Sequence, residues 1–252
     1  IVKKAKESSS PHGNVFSQIG EFRPKELIME TEIPDLISHA LTELPAAVLE
    51  RSGSVFYSGR SAFASPSAIY VLGLNPGGCP TRQRAETVAA DIEQFWTQPA
   101  KWSAYADESL EGRNPGTSGM QPRMLHLFSQ LGLDARNVPA SNVAFVRSRS
   151  EADLAAEKYA LIDACWPVHA AVISSLQIRS IVCLGGKAGR WVRDRMGAHD
   201  LVDEFVEQNS RGWRSVAHRA PNGQTVLTLT HPGRVDWRNP AADPSPMVRR
   251  WV

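Results

Sequence analysis

Three short turns in this chain place amides, an imidazole and guanidinium groups where glycines leave room for a ligand. The first is Gly73–Leu74–Asn75–Pro76–Gly77–Gly78. Asn-Pro and Gly-Gly form turns in their own right. Glycine also lets a backbone approach a bound group closely, so Asn75 would present a fixed amide there. The second begins at Asn142 and runs into Arg147–Ser148–Arg149–Ser150. An Asn side chain carries both a donor and an acceptor, the pair needed to read the Watson–Crick edge of a nucleobase. The plainer reading of Asn142 is a turn or cap before a strand. Arg147 and Arg149 suit phosphate, which arginine grips bidentately, or else they are solvated. The third turn is His231–Pro232–Gly233–Arg234, ahead of a polar loop that contains Trp237. Histidine changes charge close to neutral pH, and a strand end before a polar loop is a place where it can act. The other six histidines have no such setting and read as structural.

The segments between these turns alternate between strand and helix patterns. Ser67–Leu74, Asn142–Val146 and Ile181–Leu184 are short apolar runs that read as buried strands. Trp213–His218 and Thr225–Thr230 are two more, joined by a turn at Pro221–Asn222–Gly223. Helical spacing covers Pro34–Glu50, with Pro45 a break or kink, then Arg82–Trp96, Pro122–Leu131 and Lys187–Met196. Glu151–Leu176 is a long helical stretch that Pro167 kinks or divides, and Pro244–Val252 is a closing helix. Asp107–Gln121 is a polar, Gly-rich loop. The pattern predicts an α/β fold, a three-layer sandwich with a central, mostly parallel sheet flanked by helices. Ligand sites in such sheets lie beyond the carboxyl ends of the strands, which is where the three turns fall. No linker splits the chain, so residues 1–33 read as an arm and 34–252 as a single domain.

Composition narrows the function classes. The chain has 252 residues, 42% hydrophobic and 21% charged, as in an ordinary globular protein. No apolar run reaches the ~18 residues a membrane span needs, so no membrane partner is expected. Ile1–Phe16 lacks the apolar core of a signal peptide, and the expected location is the cytoplasm. The formal net charge is +2, which excludes a highly basic scaffold but leaves room for a local basic face. Of the 28 basic residues, 21 are Arg, which favours phosphate contacts or reflects GC-rich coding. The three cysteines, Cys79, Cys165 and Cys183, are far apart and cannot alone build a zinc site or a four-Cys cluster. No metal or other cofactor is expected. Gly185–Gly186–Lys187 lacks the spacing of a nucleotide-phosphate loop, because Ala188 follows the lysine.

The order of the motifs resembles the uracil-DNA glycosylase superfamily. GLNPGG is similar to the first motif of its mismatch-specific and single-strand-selective branches, and THPGR to an HPS-type last motif. Arg238–Asn239–Pro240 and IVCLGGKAG at 181–189 are similar to further family segments. The resemblance spans Ile69–Pro240, with about twenty specific residues. It implies a monomeric enzyme that flips a uracil or C5-modified pyrimidine out of duplex or single-stranded DNA and hydrolyses its N-glycosidic bond. By position, Asn75 would orient the attacking water, Asn142 would bond the flipped base, and His231 would stabilise charge on the departing base. Gly77 replaces an aromatic wall and opens the base pocket to bulkier groups. Arg147, Arg149, Gly186, Lys187 and Arg234 would meet phosphates. Val235 or Trp237 would wedge into the duplex, unless Trp237 folds back onto the core. Asn75 stands where the uracil-specific branch has Asp and cannot act as a general base. Two alternatives follow: excision of a bulky base such as glucosylated hydroxymethylcytosine from phage DNA, or a DNA-binding relative without hydrolysis.

Overall fold

The computed structural model describes residues 32–110, 112–150, 152–154 and 157–252. The arm expected over 1–33 therefore lies almost wholly outside the described residues. The apolar runs form the centre of a six-stranded sheet: β1 (Ile69–Gly73), β2 (Ala140–Asn142), β3 (Ser180–Leu184), β4 (Asp200–Val206), β5 (Arg214–Arg219) and β6 (Thr225–Leu229). The spatial order is β2-β1-β3-β6-β5-β4. β2, β1, β3 and β6 run parallel, and β5 and β4 add antiparallel to β6.

The parallel strands are apolar on both faces because helices cover both. On one side, Tyr70, Leu72, Ile181 and Val226 pack with residues of α1 (Asp35–Thr42), α2 (Ala46–Leu49), α3 (Val88–Thr97), α5 (Lys158–Ser175) and α6 (Gly186–Met196). On the other, Ile69, Val71, Val182 and Leu229 pack with α4 (Gln121–Leu131) and α7 (Ser245–Arg249). Alternate residues of β1 thus feed the two cores, as a pleated strand requires. The three-layer α/β sandwich read from the sequence is the architecture found.

Several boundaries differ from expectation. Pro45 ends the first helical stretch and N-caps α2. The helix expected from Arg82 starts only at Val88, where the Thr87 hydroxyl accepts the Ala90 N–H at 3.1 Å. Pro167 does not divide α5, which runs through it. β4 was not anticipated: it is an edge strand with Leu201 and Val206 exposed, so no buried alternation marks it. Asn142 was expected to open its strand and instead closes it. The next residues stay buried and extended, with Val143 and Ala144 donating to Gly73 and Leu74, but the regular ladder ends at Asn142.

The wedge expected from Val235 and Trp237 is corrected by packing. Val235 is 1% exposed and Trp237 is 0% exposed, both within the core under α4 and α7. The Trp237 indole N–H reaches Thr230 Oγ1 at 3.4 Å. Neither side chain is presented to solvent. Trp237→Ala should lower the unfolding free energy by about 3–5 kcal/mol, the usual cost of emptying an aromatic core position. Denaturant titration checks this; a loss within 0.5 kcal/mol, as expected of a surface substitution, would return Trp237 to the surface.

Candidate active site

The four parallel strands end along one edge, and the loops that follow them enclose a cleft of about 1500 Å³. Asn75, Gly77, Asn142, Arg147, Arg149, Gly186, Lys187, His231 and Arg234 all line it. Sequence motifs more than 150 residues apart, from Asn75 to His231, therefore meet in one place.

The loop after β1 is fixed by its own amide. Asn75 Nδ2 donates to the Pro76 carbonyl at 3.0 Å and to Ser148 Oγ at 2.9 Å. Ser148 is buried and passes the chain on to the Ser150 carbonyl at 2.8 Å. The donors of Asn75 thus serve the scaffold, and its Oδ1 has no protein partner among the described residues. That leaves an acceptor, the group that can orient a water molecule.

Asn142 is locked at the end of β2. The β1–β2 register places it opposite Gly73, and a Cβ on Gly73 would lie 2.1 Å from Asn142 Oδ1. Only glycine admits the amide at that point. Asn142 Nδ2 donates to the Tyr57 hydroxyl at 2.9 Å. Burial pushes the Tyr57 phenol up to about 12, so it stays protonated and its own O–H remains a donor. The amide is 5% exposed and still borders the cleft.

His231 directly follows Thr230 at the end of β6. Its carbonyl accepts the Arg234 and Val235 N–H groups at 2.9 and 3.1 Å, and the Gly233 N–H donates to its Nδ1 at 3.0 Å. Nδ1 is thereby the acceptor, which assigns the ring proton to Nε2. Burial first, and the Arg234 guanidinium second, hold the imidazole below its ordinary range. The ring lies against Gly185, whose φ of +99° suits glycine, and a Cβ there would sit 3.3 Å from His231 Cδ2. Gly186 and Lys187 open α6 beside it, so helix N-terminal amides face the cleft.

The arginines divide. Arg149 and Arg234 are exposed at the rim. Arg147 was expected at a phosphate, but its side chain is only 12% exposed and already bound. It donates to the Gly77 carbonyl at 2.6 Å and to Ser52 Oγ at 3.2 Å, and pairs with Glu86 at 3.0 Å. It ties the second loop to the first. Arg149 contacts Cys79 Sγ at 3.0 Å and Thr81 Oγ1 at 3.1 Å. The Thr81 hydroxyl, 3.1 Å from Cys79 Sγ, leads in holding the Cys79 thiol down at about 6, followed by the Arg82 N–H and then Arg149.

Tyr57, Ser148 and Glu108 are among the cleft residues that sequence reasoning missed. Glu108 lies on the Asp107–Gln121 loop, read above only as polar connection. The loop is anchored by Arg136, which grips Asp107 with Nε–Oδ2 at 2.9 Å and Nη2–Oδ1 at 2.6 Å. Buried Gln121 donates to the Glu108 carbonyl at 2.8 Å. The Glu108 carboxyl has no hydrogen-bond or ion-pair partner among the described residues. Burial raises its affinity for a proton, against the opposing charge of Arg147. The other acids of the cleft are engaged. Glu86 is held by Arg147 and by Gln83 at 2.9 Å, and Asp91 accepts from Ser54 Oγ at 3.2 Å and Val55 N at 2.7 Å. No set of three His, Cys, Asp or Glu among the described residues is placed to hold a metal ion.

The His231 geometry fixes a pH response. Its depressed native affinity means that the unfolded chain takes up the proton first as pH falls. Stability from this group is present above the ordinary histidine value and declines as pH drops toward the native one. An NMR titration should place the His231 ring below the usual range, and Arg234→Gln should move it upward. An unshifted ring would remove the buried, Gly233-bonded arrangement. No protein-family model matches the chain, and no curated protein matches it.

Proposed function

We propose that this protein is a DNA N-glycosylase that hydrolyses the bond between a flipped pyrimidine and its deoxyribose. The observation that carries this reading is the His231 ring, neutral with its proton on Nε2, in one cleft with the acceptor of Asn75 and the amide of Asn142. The resemblance of the GLNPGG and THPGR segments to the uracil-DNA glycosylase superfamily supports it.

The chemistry follows from the groups present. The flipped base enters with its polar edge against Asn142, whose amide Tyr57 holds in one orientation. Water attacks C1′ of the sugar while the C1′–N bond breaks, and the bonding electron pair leaves with the base. Negative charge develops on the base oxygens, and the His231 Nε2–H donates to it. A neutral imidazole suffices as this donor, and it keeps its proton throughout the step. Asn75 Oδ1 accepts a hydrogen bond from the water and orients it, but an amide does not take up the proton. Glu108 is the cleft carboxylate left to accept it, and the proton then returns to the departed base. Arg149, Arg234, Lys187 and the α6 amides line the cleft, and in this reading they are the groups that would meet phosphate.

A second reading concerns the base. A Cβ on Gly77 would meet nothing within 4 Å, and the cleft of about 1500 Å³ exceeds the ~300–1,000 Å³ of ordinary small-ligand sites. That space favours a bulky C5 substituent, such as the sugar of glucosylated hydroxymethylcytosine, over bare uracil.

Duplex and single-stranded oligonucleotides carrying uracil, hydroxymethyluracil or glucosylated hydroxymethylcytosine, incubated with the protein and then cleaved at abasic sites by alkali, test both readings. His231→Ala should slow single-turnover cleavage about 10²- to 10³-fold, the usual loss of one oxyanion donor, with DNA affinity little changed. No scission on any substrate, with DNA still bound, would leave a binding protein without hydrolysis.

Glu108→Gln should depress the same step and abolish the acid limb of the pH–rate profile. The sign follows from the raised proton affinity of Glu108: the active carboxylate is lost as pH falls through its value. A variant with an unchanged acid limb would exclude Glu108 as the proton acceptor.

A further inference from the structure

With Val235 and Trp237 buried, the proposed DNA site lacks the wedge that a duplex would require. Three exposed aromatics remain among the described residues: Trp96, Tyr159 and Trp213. Only Trp213 also borders the cleft. We infer that the β4–β5 hairpin is the base-stacking arm of this protein, with Trp213 the platform for a nucleobase neighbouring the flipped one. The inference rests on the DNA reading above.

The hairpin is built to hold the ring still. Trp213 is 40% exposed, and the Arg211 guanidinium lies 4.8 Å from its ring centroid. Arg211 is itself anchored: it pairs at 3.0 Å with Glu207, whose side chain is fully buried. Glu207 also accepts from Asn209 Nδ2 at 2.9 Å, and its N–H donates to the Trp213 carbonyl at 2.8 Å. Gln208 N–H reaches the Ala241 carbonyl at 2.7 Å, tying the hairpin to the segment after the His231 loop. Arg211 Nη1 approaches the Arg234 carbonyl at 3.4 Å, a second tie, to the His231 loop itself.

Charge fits a nucleic-acid strand rather than an apolar protein partner. Arg211 lies over the ring, Arg234 lines the same cleft, and Arg214, which pairs with Glu204 at 3.0 Å, follows Trp213 directly. An arginine over an aromatic face at the edge of a cleft with basic groups is the composition that grips an unstacked base through stacking and charge together. A rigid, half-exposed tryptophan loses little freedom when a base covers it, so the stack is not spent on ordering the ring.

The test uses the full chain and a duplex with a central tetrahydrofuran abasic analogue, which cannot be hydrolysed. Trp213→Ala should weaken binding about 5- to 150-fold, the weight of one base–aromatic stack. Trp213→Phe should retain most of the affinity. Binding should also quench tryptophan emission in the wild type and quench less in Trp213→Phe. Equal affinity and equal quenching in a folded Trp213→Ala protein would overturn the stacking role while leaving the glycosylase reading intact. Trp213-dependent binding without cleavage of any modified base would do the reverse. A wild type that binds no DNA would sink both.

Discussion

The register between β1 and β2 is the constraint on which the candidate site depends. Val71 pairs with Ala140, Leu72 with Ser141 and Gly73 with Asn142. Side chains alternate across a sheet, so a one-residue slip would turn every β2 residue to the opposite face. It would also bring a residue other than Gly73 against the Asn142 amide, at a point where a Cβ has no room. The packing of β2 makes that slip costly, because Ala140 would leave the core beneath α4 and α7. The core thus sets the position of the Asn142 amide, and Tyr57, packed against one core, holds it there.

His231 depends on a related device at β6. The ring is held by backbone from Gly233, but the loop keeps its shape because Val235 and Trp237 sink into the core immediately afterward. Trp237 acts as an anchor: its burial pulls the chain down after the histidine, and its indole N–H reaches back to Thr230. A side chain placed there to enter DNA would leave the histidine on a free loop. In the proposed DNA site the exposed aromatic would instead be Trp213, on a hairpin whose Arg211 reaches the same loop.

The sequence made the parallel strands and the three turns legible because both leave local marks. A strand buried on both faces is a continuous apolar run, and Asn-Pro-Gly-Gly or His-Pro-Gly marks the turn beyond it. β4 left no such mark, since this edge strand is only partly buried and mixes charged and apolar residues. Tyr57 was illegible for a different reason. Its partner Asn142 lies 85 residues away, and nothing near Tyr57 distinguishes it from a core tyrosine. Glu108 sits in a polar loop where a carboxylate is ordinary, and only folding shows that its neighbours satisfy one another and leave it out. Arg147 erred the other way. Its position in an Arg-Ser-Arg-Ser run suggested exposure, whereas the fold spends it on Gly77, Ser52 and Glu86.

Pairing Arg147 internally has a consequence for the electrostatics of the cleft. Its charge offsets the Glu86 carboxylate beside it and opposes proton uptake by Glu108, which burial alone would favour more strongly. Burial and Arg147 thus act on the Glu108 proton in opposite directions, burial being the larger. The positive groups at the rim act over a different range. Arg149, Arg234 and Lys187 line the same cleft. If the proposed reaction holds, a chain with formal net charge +2 separates its charges by position: cations for the strand, a carboxylate for water, and a neutral imidazole where the leaving base would become negative.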